Sequence, residues 1–253
     1  MTTGRRPSGP PAATAGYSAA QVRAAEAPHL AAGEPLMRRA ASALAAVVRR
    51  EAGATDASGG PVLVLAGSGD NGGDALFAAA ELADDGFEVV AVPAGARLHD
   101  EASVAALAAG VRILERDDDA AFAAVANAAP LVVDGILGTG SAAPALRGRA
   151  RELVAVLIPE VERSAKRVIA VDLPSGIHPD DGSVPDPTVL RATITVTFGA
   201  VKAGLLREPG AGYAGRVELV DLGLGPELAT MVPLVPAGLG ESKRRRPADS
   251  LEP

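Results

Sequence analysis

The sequence predicts an α/β protein built on a mostly parallel sheet, and two observations carry this prediction. Short runs of Val, Leu, Ile and Ala, such as residues 61–66 and 167–171, alternate with longer segments of helical periodicity. The first run leads through a glycine-rich loop into a helix and then into a second β-branched run ending at Val92. Such a βαβ unit requires parallel strands, and open α/β folds bind ligands at the carboxyl edge of the sheet.

The elements are expected in a regular order along the chain. Two helices come first, at residues 18–29, where Ser18 is a plausible N-cap, and at residues 35–53, where Pro35 suits the first turn. After the βαβ unit the pattern predicts a helix at 102–108, a strand at 111–114, a helix starting at the acidic run 117–119, a strand at 130–134, a helix at 147–164 and a strand at 167–171. Alternating runs at 192–198 and 216–221 extend the sheet and leave an antiparallel edge as an option.

One domain is expected at residues 17–230, because the motifs follow a single alternating pattern. Residues 1–16 are rich in Pro, Gly, Ala and Thr without periodicity, which indicates a disordered arm. Residues 231–253 form a linker-like tail, whose basic run at 243–246 is interpreted as solvated.

The composition narrows the classes of function. The net charge of −7 disfavours nucleic acid or an anionic membrane as the main partner. Cysteine is absent, which excludes disulfides and cysteine nucleophiles, and the three histidines are dispersed, so zinc or His-based triad chemistry is not expected. No run approaches roughly 18 apolar residues, and the amino end lacks a signal-peptide core. We therefore expect a cytoplasmic protein without a membrane segment.

The glycine-rich loop, residues 67–74, reads Gly-Ser-Gly-Asp-Asn-Gly-Gly-Asp. It fits the dinucleotide pattern G-x-G-x-x-G, with a strand before it and a helix after it. No acidic residue ends the next strand near Val92 to hold a ribose hydroxyl, and no lysine follows the glycines as in a P-loop. Asp70 and Asp74 would repel a pyrophosphate unless a cation intervened. The alternative is a tight turn in which Asp74 interacts with the helix N-terminus.

Three of the predicted strands are each followed by a loop that carries a carboxylate: Asp74, Asp134 and Asp172. Since the carboxyl ends of parallel strands share one edge, these acids are expected to converge on one cleft. The alternative for Asp172 is a cap on the following turn.

These motifs resemble the NAD(P)H-hydrate epimerase family, also called the YjeF N-terminal domain, over about residues 17–225. The resemblance rests on ordered segments: Leu36-Met37-Arg38-Arg39-Ala40-Ala41, the loop 67–74, Asp134 with Gly138-Thr139-Gly140, Val171-Asp172-Leu173-Pro174-Ser175-Gly176, and Thr197-Phe198 with Lys202 and Gly204. It implies a three-layer α/β/α sandwich with a Rossmann-like, mostly parallel sheet, usually as a homodimer.

The resemblance also implies an activity and a site. The family interconverts the R and S forms of NADHX and NADPHX, which are hydrated nicotinamide cofactors, and it binds potassium. Asn71, Asp134 and Ser175 fall where the K⁺ is held, and Asp172 is expected to be catalytic, with Lys202 as a second candidate. The residues expected to bind the substrate are Asp70, Asn71, Gly72, Gly73, Asp74, Gly138, Thr139, Gly140, Ser141, Ala142, Ala143, Pro144 and Asp172.

The chemistry of these side chains agrees with such a site. Asn71, Asp134 and Ser175 offer hard oxygen donors, which suit a hard cation, although Ser175 serves equally well as a turn cap. The substrate carries a hydroxyl next to the ring nitrogen, whose lone pair helps expel it and leaves a planar iminium cation open to water on either face. Asp172 is expected to protonate the departing oxygen, stabilise the cation and then take a proton from water. Lys202 would pair with Asp172 or the phosphates, and its alternative is a solvated lysine at a strand end.

The sequence departs from the family pattern in three places. Asp70 replaces an asparagine, Ala75 replaces a glycine and Arg38 replaces a glutamate. Asp70 adds a negative charge beside the cation and phosphate positions, so affinity or activity could differ from the family norm. Two rival functions stay open: an oxidoreductase using intact nicotinamide, and a non-catalytic nucleotide-binding or protein-interaction scaffold. Members that also repair the S form continue into a dehydratase domain, so a separate or fused NAD(P)H-hydrate dehydratase is an expected partner.

Overall fold

The computed structural model describes residues 14–53, 59–140, 144–164 and 166–238 of the 253-residue chain. Its helices are α1 (Ala19–Ala31), α2 (Leu36–Gly53), α3 (Asp70–Asp84), α4 (Asp100–Ala108), α5 (Asp119–Ala128), α6 (Gly148–Ser164), α7 (Ala211–Ala214) and α8 (Gly225–Leu228), with a 3₁₀ helix at Ala203–Leu206. Its strands are β1 (Val62–Ala66), β2 (Val89–Pro93), β3 (Arg112–Ile113), β4 (Leu131–Gly135), β5 (Arg167–Val171), β6 (Ile194–Phe198) and β7 (Arg216–Val220). Every predicted helix and strand is present, with bounds shifted by a few residues.

The seven strands form one sheet in the order β3-β2-β1-β4-β5-β6-β7, and every pairing is parallel. The antiparallel edge that the sequence left as an option is therefore wrong. The chain returns from β6 to β7 through the 3₁₀ helix and α7, a crossover that allows parallel pairing. β1 lies beside both β2 and β4, so the order reverses there and opens a crevice at the carboxyl ends of β1 and β4.

The sheet is covered on both faces, which confirms an α/β fold in three layers. Val62 and Val64 of β1 pack in one apolar cluster with α2, α3 and α4, whereas Leu63 and Leu65 pack in a second cluster with α5 and α6. This alternation follows from the period of two residues in a strand. Because both faces are buried, all residues of β1, β4 and β6 are buried.

The predicted helix starts carry the expected caps. Ser18 accepts a hydrogen bond from the Gln21 N–H, and Gln21 reaches back to the Ser18 N–H, which completes a capping box on α1. In the acidic run before α5, the Asp118 side chain accepts a hydrogen bond from the Ala121 N–H at 2.9 Å. The run is thus a helix start, as predicted.

The described ends of the chain meet. Gly16 forms an antiparallel bridge with Val235, and the Gln21 side chain donates to the Val232 carbonyl. Residues 1–13 of the arm and 239–253 of the tail, with its basic run, lie outside the described residues. The domain boundaries stay a prediction. Among the described residues, no helix has both the length and the apolar character that crossing a bilayer requires.

Candidate active site

The loop between β1 and α3 packs its backbone directly against the loop after β4. The Gly67 N–H donates to the Gly135 carbonyl at 3.0 Å, and a Cβ on Gly67 would lie 1.9 Å from the Ile136 carbonyl oxygen. A Cβ on Gly72 would lie 2.1 Å from the Gly67 oxygen. Glycine at these positions lets the amino end of α3 reach the sheet edge. Gly69, the N-cap of α3, provides no side-chain cap, so the first N–H groups of the helix remain available to an anion.

A cavity of about 750 Å³ lies at this edge of the sheet. The predicted site residues on its wall are Asp70, Asn71, Asp74, Gly138, Thr139, Gly140, Asp172 and Lys202. Gly72 and Gly73 are buried in the first turn of α3, and Pro144 is not part of the wall. Ser141, Ala142 and Ala143 lie outside the described residues.

Asp172, directly after β5, has a left-handed backbone. Its φ is 68°, and it is the one non-glycine residue with positive φ in the described part of the chain. Its side chain is held by a buried ion pair with Lys202, and the Thr197 hydroxyl donates to Oδ1 at 3.3 Å. A strained backbone persists only where its surroundings fix it, and such residues cluster at functional sites. This environment goes beyond what a simple turn cap needs.

Lys202 is a buried cation at the same wall. It is 2 % exposed, and its Nζ donates to the Phe198 carbonyl at 2.8 Å as well as to Asp172. Tyr17, just before α1, forms a parallel bridge with Lys202 and fixes its backbone. The alternative of a solvated lysine is therefore excluded, and Lys202 holds the Asp172 carboxylate in place.

Asp134 and Ser175 form a buried joint between the loops after β4 and β5. The Ser175 hydroxyl donates to Asp134 Oδ1 at 2.6 Å and the Ser175 N–H donates to Oδ2 at 2.9 Å. The Leu137 N–H donates to the Ser175 hydroxyl at 2.8 Å, so Ser175 does more than cap a turn. Burial raises the pKa of Asp134, although the Ser175 hydrogen bonds act in the opposite direction.

Asn71 lies beside this joint with an unsatisfied amide. Its Nδ2 is buried and has no hydrogen-bond partner among the described residues. Its Oδ1 is close to Gly138, where an added Cβ would lie 2.9 Å away. The amide therefore points into the space between α3 and the β4 loop, and buried polar atoms without a partner call for a ligand or a water.

The carboxyl group of Asp74 has an upward-shifted pKa. Its pKa is raised well above the ordinary value, first by burial and then by the negative charges of Asp172, Asp70 and Glu26. Lys202 opposes this rise. Asp74 lies one turn into α3 and makes no hydrogen bond or ion pair with the described residues, so the structure does not support the alternative of a helix cap.

The three acids were expected to converge on one cleft, and two of them do so. Asp74 and Asp172 both line the cavity, whereas Asp134 is buried behind its wall. Asp134 faces inward because its carboxylate is taken up by Ser175 at the joint between the two loops. The acids share one edge of the sheet, but they have different surroundings.

The contribution of α1 to the cavity was not predicted from the sequence. Arg23 and Glu26 both line it, and an Arg23 Nη donates to the Thr139 carbonyl at 2.9 Å. Their spacing of three residues puts them on one face of an alanine-rich helix. Charged side chains on one face of a helix of mostly small residues were the available signal.

Comparisons with known proteins agree with this geometry. A family model described as YjeF-related protein N-terminus matches residues 33–204. The chain is 58 % identical to the NAD(P)H-hydrate epimerase of Clavibacter sepedonicus over 86 % of this chain and 94 % of that protein. It is 54 % identical to the NAD(P)H-hydrate epimerase of Microbacterium testaceum over 89 % of this chain and 85 % of that protein.

Two further matches are more distant. The chain is 41 % identical to the bifunctional NAD(P)H-hydrate repair enzyme Nnr of Mycobacterium tuberculosis over 82 % of this chain, which spans only 41 % of that enzyme. The crystal structure of yeast ynu0 superimposes with a TM-score of 0.67 over 81 % of this chain and 86 % of that chain, at 20 % sequence identity. At this identity the yeast structure supports the fold alone.

Proposed function

This chain belongs to the family of YjeF-related protein N-termini, and from that premise we infer that it is an NAD(P)H-hydrate epimerase, an isomerase that interconverts the R and S forms of hydrated NADH and NADPH. The observation that carries this inference is the buried Asp172–Lys202 pair at the wall of the cavity, on a strained backbone. A scaffold that only binds a partner has no need of such a pair.

The arrangement fits a reaction through a planar cation. When the substrate hydroxyl leaves, the ring nitrogen becomes an iminium cation, and the Asp172 carboxylate stabilises its positive charge. Lys202 keeps that carboxylate in a fixed orientation, and its own charge balances the pair. Asp172 is also placed to exchange a proton with the hydroxyl or water on its side of the ring.

The glycine-rich loop is proposed to hold the pyrophosphate of the substrate. The uncapped N–H groups at the start of α3 and the partial positive charge of the helix favour an anion there. Asp70, exposed at the first position of α3, opposes this attraction. A cation near the loop would offset this repulsion.

We propose that K⁺ binds between Asn71, Asp134 and Ser175. Asp134 is 1 % exposed and forms no ion pair with the described residues, and Asn71 Oδ1, which lies next to Gly138, is an oxygen that a cation can bind. Amide, carboxylate and hydroxyl oxygens are hard donors, which suit a hard cation such as K⁺. When bound, K⁺ would offset the Asp134 charge and hold the two loops in register.

The test of this function is direct conversion of the purified substrate. R-NADHX and S-NADHX are incubated separately with the protein in K⁺ and in choline of equal ionic strength, and the epimers are separated by chromatography. We expect both to reach the same mixture, with a faster rate in K⁺. Conversion no faster than without protein would refute the epimerase activity, whereas equal rates in K⁺ and choline would refute only the proposed potassium site.

Arg23→Met is predicted to weaken substrate binding by loosening the loop at Thr139. This hydrogen bond is exposed to solvent, so its loss should cost about 0.5–1.5 kcal/mol, and we expect KM to rise severalfold with kcat little changed. The measurement is the initial rate against NADHX concentration. Arg39→Met on α2, away from the cavity wall, is the matched control. An unchanged KM for Arg23→Met would contradict this role.

The bifunctional relatives suggest where the product goes. We propose that the epimer made here is consumed by an NAD(P)H-hydrate dehydratase, either separate or fused, because the Nnr enzymes combine repair steps in one chain. We propose a homodimer on the family resemblance, and a cytoplasmic location on the sequence, which has no predicted membrane segment or signal-peptide core.

A further inference from the structure

Helix α1 closes the cavity from outside the sheet. At its start, Tyr17 bridges to Lys202, and the Ala19 N–H donates to Asp180 Oδ1 at 2.7 Å. One turn later, Arg23 donates to the Thr139 carbonyl of the β4 loop. The helix is thus fixed at both sides of the cavity, across the carboxyl edge of the sheet from which Asp172 emerges.

Glu26 is the carboxyl group that α1 presents to this space. It follows Arg23 by three residues, lines the cavity and is half-buried. It forms no hydrogen bond or ion pair with the described residues, whereas Asp172 Oδ1 pairs with Lys202. Glu26 reaches the cavity from α1 and Asp172 reaches it from the end of β5, so the two carboxyl groups come from different elements.

An epimerase of this kind has to handle protons on both faces of the ring. The hydroxyl departs as water from one face and water adds to the opposite face, so the proton donor and the proton acceptor are best placed on opposite sides. We propose that Glu26 is the catalytic acid and base for the ring face opposite Asp172. This assignment rests on the epimerase function proposed above.

The step balances with one proton shared by the two carboxyl groups. Glu26 in its acid form protonates the hydroxyl, the C–O bond breaks, and the nitrogen lone pair forms the C=N bond of the iminium cation. Water then bonds to the same carbon from the other face, and its proton passes to the Asp172 carboxylate. The reverse direction starts with the proton on Asp172, and exchange with solvent resets the pair.

The surroundings of Glu26 shift its pKa upward, which is the direction that a proton donor needs. Burial is the largest effect on its pKa and raises it, and the charges of Asp172 and Asp70 act in the same direction. Lys202 and Arg23 lower it in part. Asp172, whose Oδ1 pairs with Lys202, receives the proton of the incoming water in the same reaction.

Exchange of the substrate hydroxyl oxygen with labelled water tests catalysis on each face of the ring separately. Each epimer of NADHX is incubated in ¹⁸O-labelled water with wild type, Glu26→Gln, Asp172→Asn and the control Glu101→Gln, whose residue is exposed on α4. Inversion is followed by chromatography and label by mass spectrometry. Wild type and Glu101→Gln should label and invert both epimers. Glu26→Gln should lose at least about 100-fold in inversion, while one epimer still exchanges its oxygen through Asp172.

The pattern of exchange decides the assignment. Asp172→Asn should retain exchange only with the epimer that Glu26→Gln no longer labels, and Glu26→Asp should regain part of the inversion. An unchanged rate of inversion in Glu26→Gln would overturn the assignment. Loss of oxygen exchange with both epimers in this variant would overturn it too, because that result indicates general damage to the site. If wild type itself inverts neither epimer, the epimerase function fails as well, so the two failures are distinguishable.

Discussion

Asp172→Asn is expected to lower the rate of epimerisation by about 10²–10⁴-fold, the usual contribution of one acid–base group. Asparagine is the informative replacement because it keeps the shape of the side chain and tolerates the left-handed φ of 68°. Its amide oxygen can still accept the Thr197 hydrogen bond, so mainly the charge and the proton exchange are lost. The measurement is kcat for both epimers, with Asp84→Asn at the exposed end of α3 as the matched control.

A second variant separates this loss of chemistry from a loss of stability. Asp172→Asn leaves Lys202 buried without its partner, and breaking a buried pair costs about 3–5 kcal/mol. Adding Lys202→Met removes the uncompensated charge, so the double variant should regain most of the free energy of unfolding. Its epimerase activity should stay low. Activity that returned together with stability would contradict a catalytic role for Asp172.

The sheet and its helices were predictable because each strand is a distinct apolar run. The direction of the β7 edge was not, since the alternating residues of β6 and β7 left an antiparallel edge as an option. In the structure Thr195 and Thr197 are fully buried, and the Thr195 hydroxyl donates to the Ala214 carbonyl at 2.7 Å. A buried threonine whose hydroxyl has a partner cannot be distinguished from an exposed one by periodicity.

The site was predictable where the chemistry lies in loops with unusual residues, and not where it lies on a plain helix. Asp172, Lys202 and the glycine-rich loop stand out in the sequence, and the structure brings them to one cavity. Glu26 lies in an alanine-rich helix whose only signal is the charged face that it shares with Arg23. Its position depends on long-range contacts, such as the bridge between Tyr17 and Lys202, which no local pattern encodes.

Asp134→Asn is expected to lower stability mainly when K⁺ is present. Without K⁺, the amide removes a buried charge that has no cation beside it, but it turns one of the two acceptors facing Ser175 into a donor, so the two proteins should differ little in stability. With K⁺, wild type gains the free energy of binding the ion, about 2.7 kcal/mol at 100 times its dissociation constant. The variant should gain little, because the ion loses its one anionic ligand. Chemical unfolding in KCl and in choline chloride measures both effects.

The pH dependence provides an independent check on the same residue. A carboxyl group whose pKa is raised in the folded state binds more protons folded than unfolded, so the free energy of unfolding falls as pH rises from the ordinary value of about 3.9 to the raised value. In choline, wild type should show this decrease and Asp134→Asn should lack the part due to Asp134, while Asp74 contributes equally to both proteins. In K⁺ the ion favours the carboxylate, so the difference between the two pH profiles should diminish or change sign. Profiles whose difference is the same in K⁺ and choline would mean that Asp134 does not contact the ion, and the joint with Ser175 would then serve only to fix the two loops.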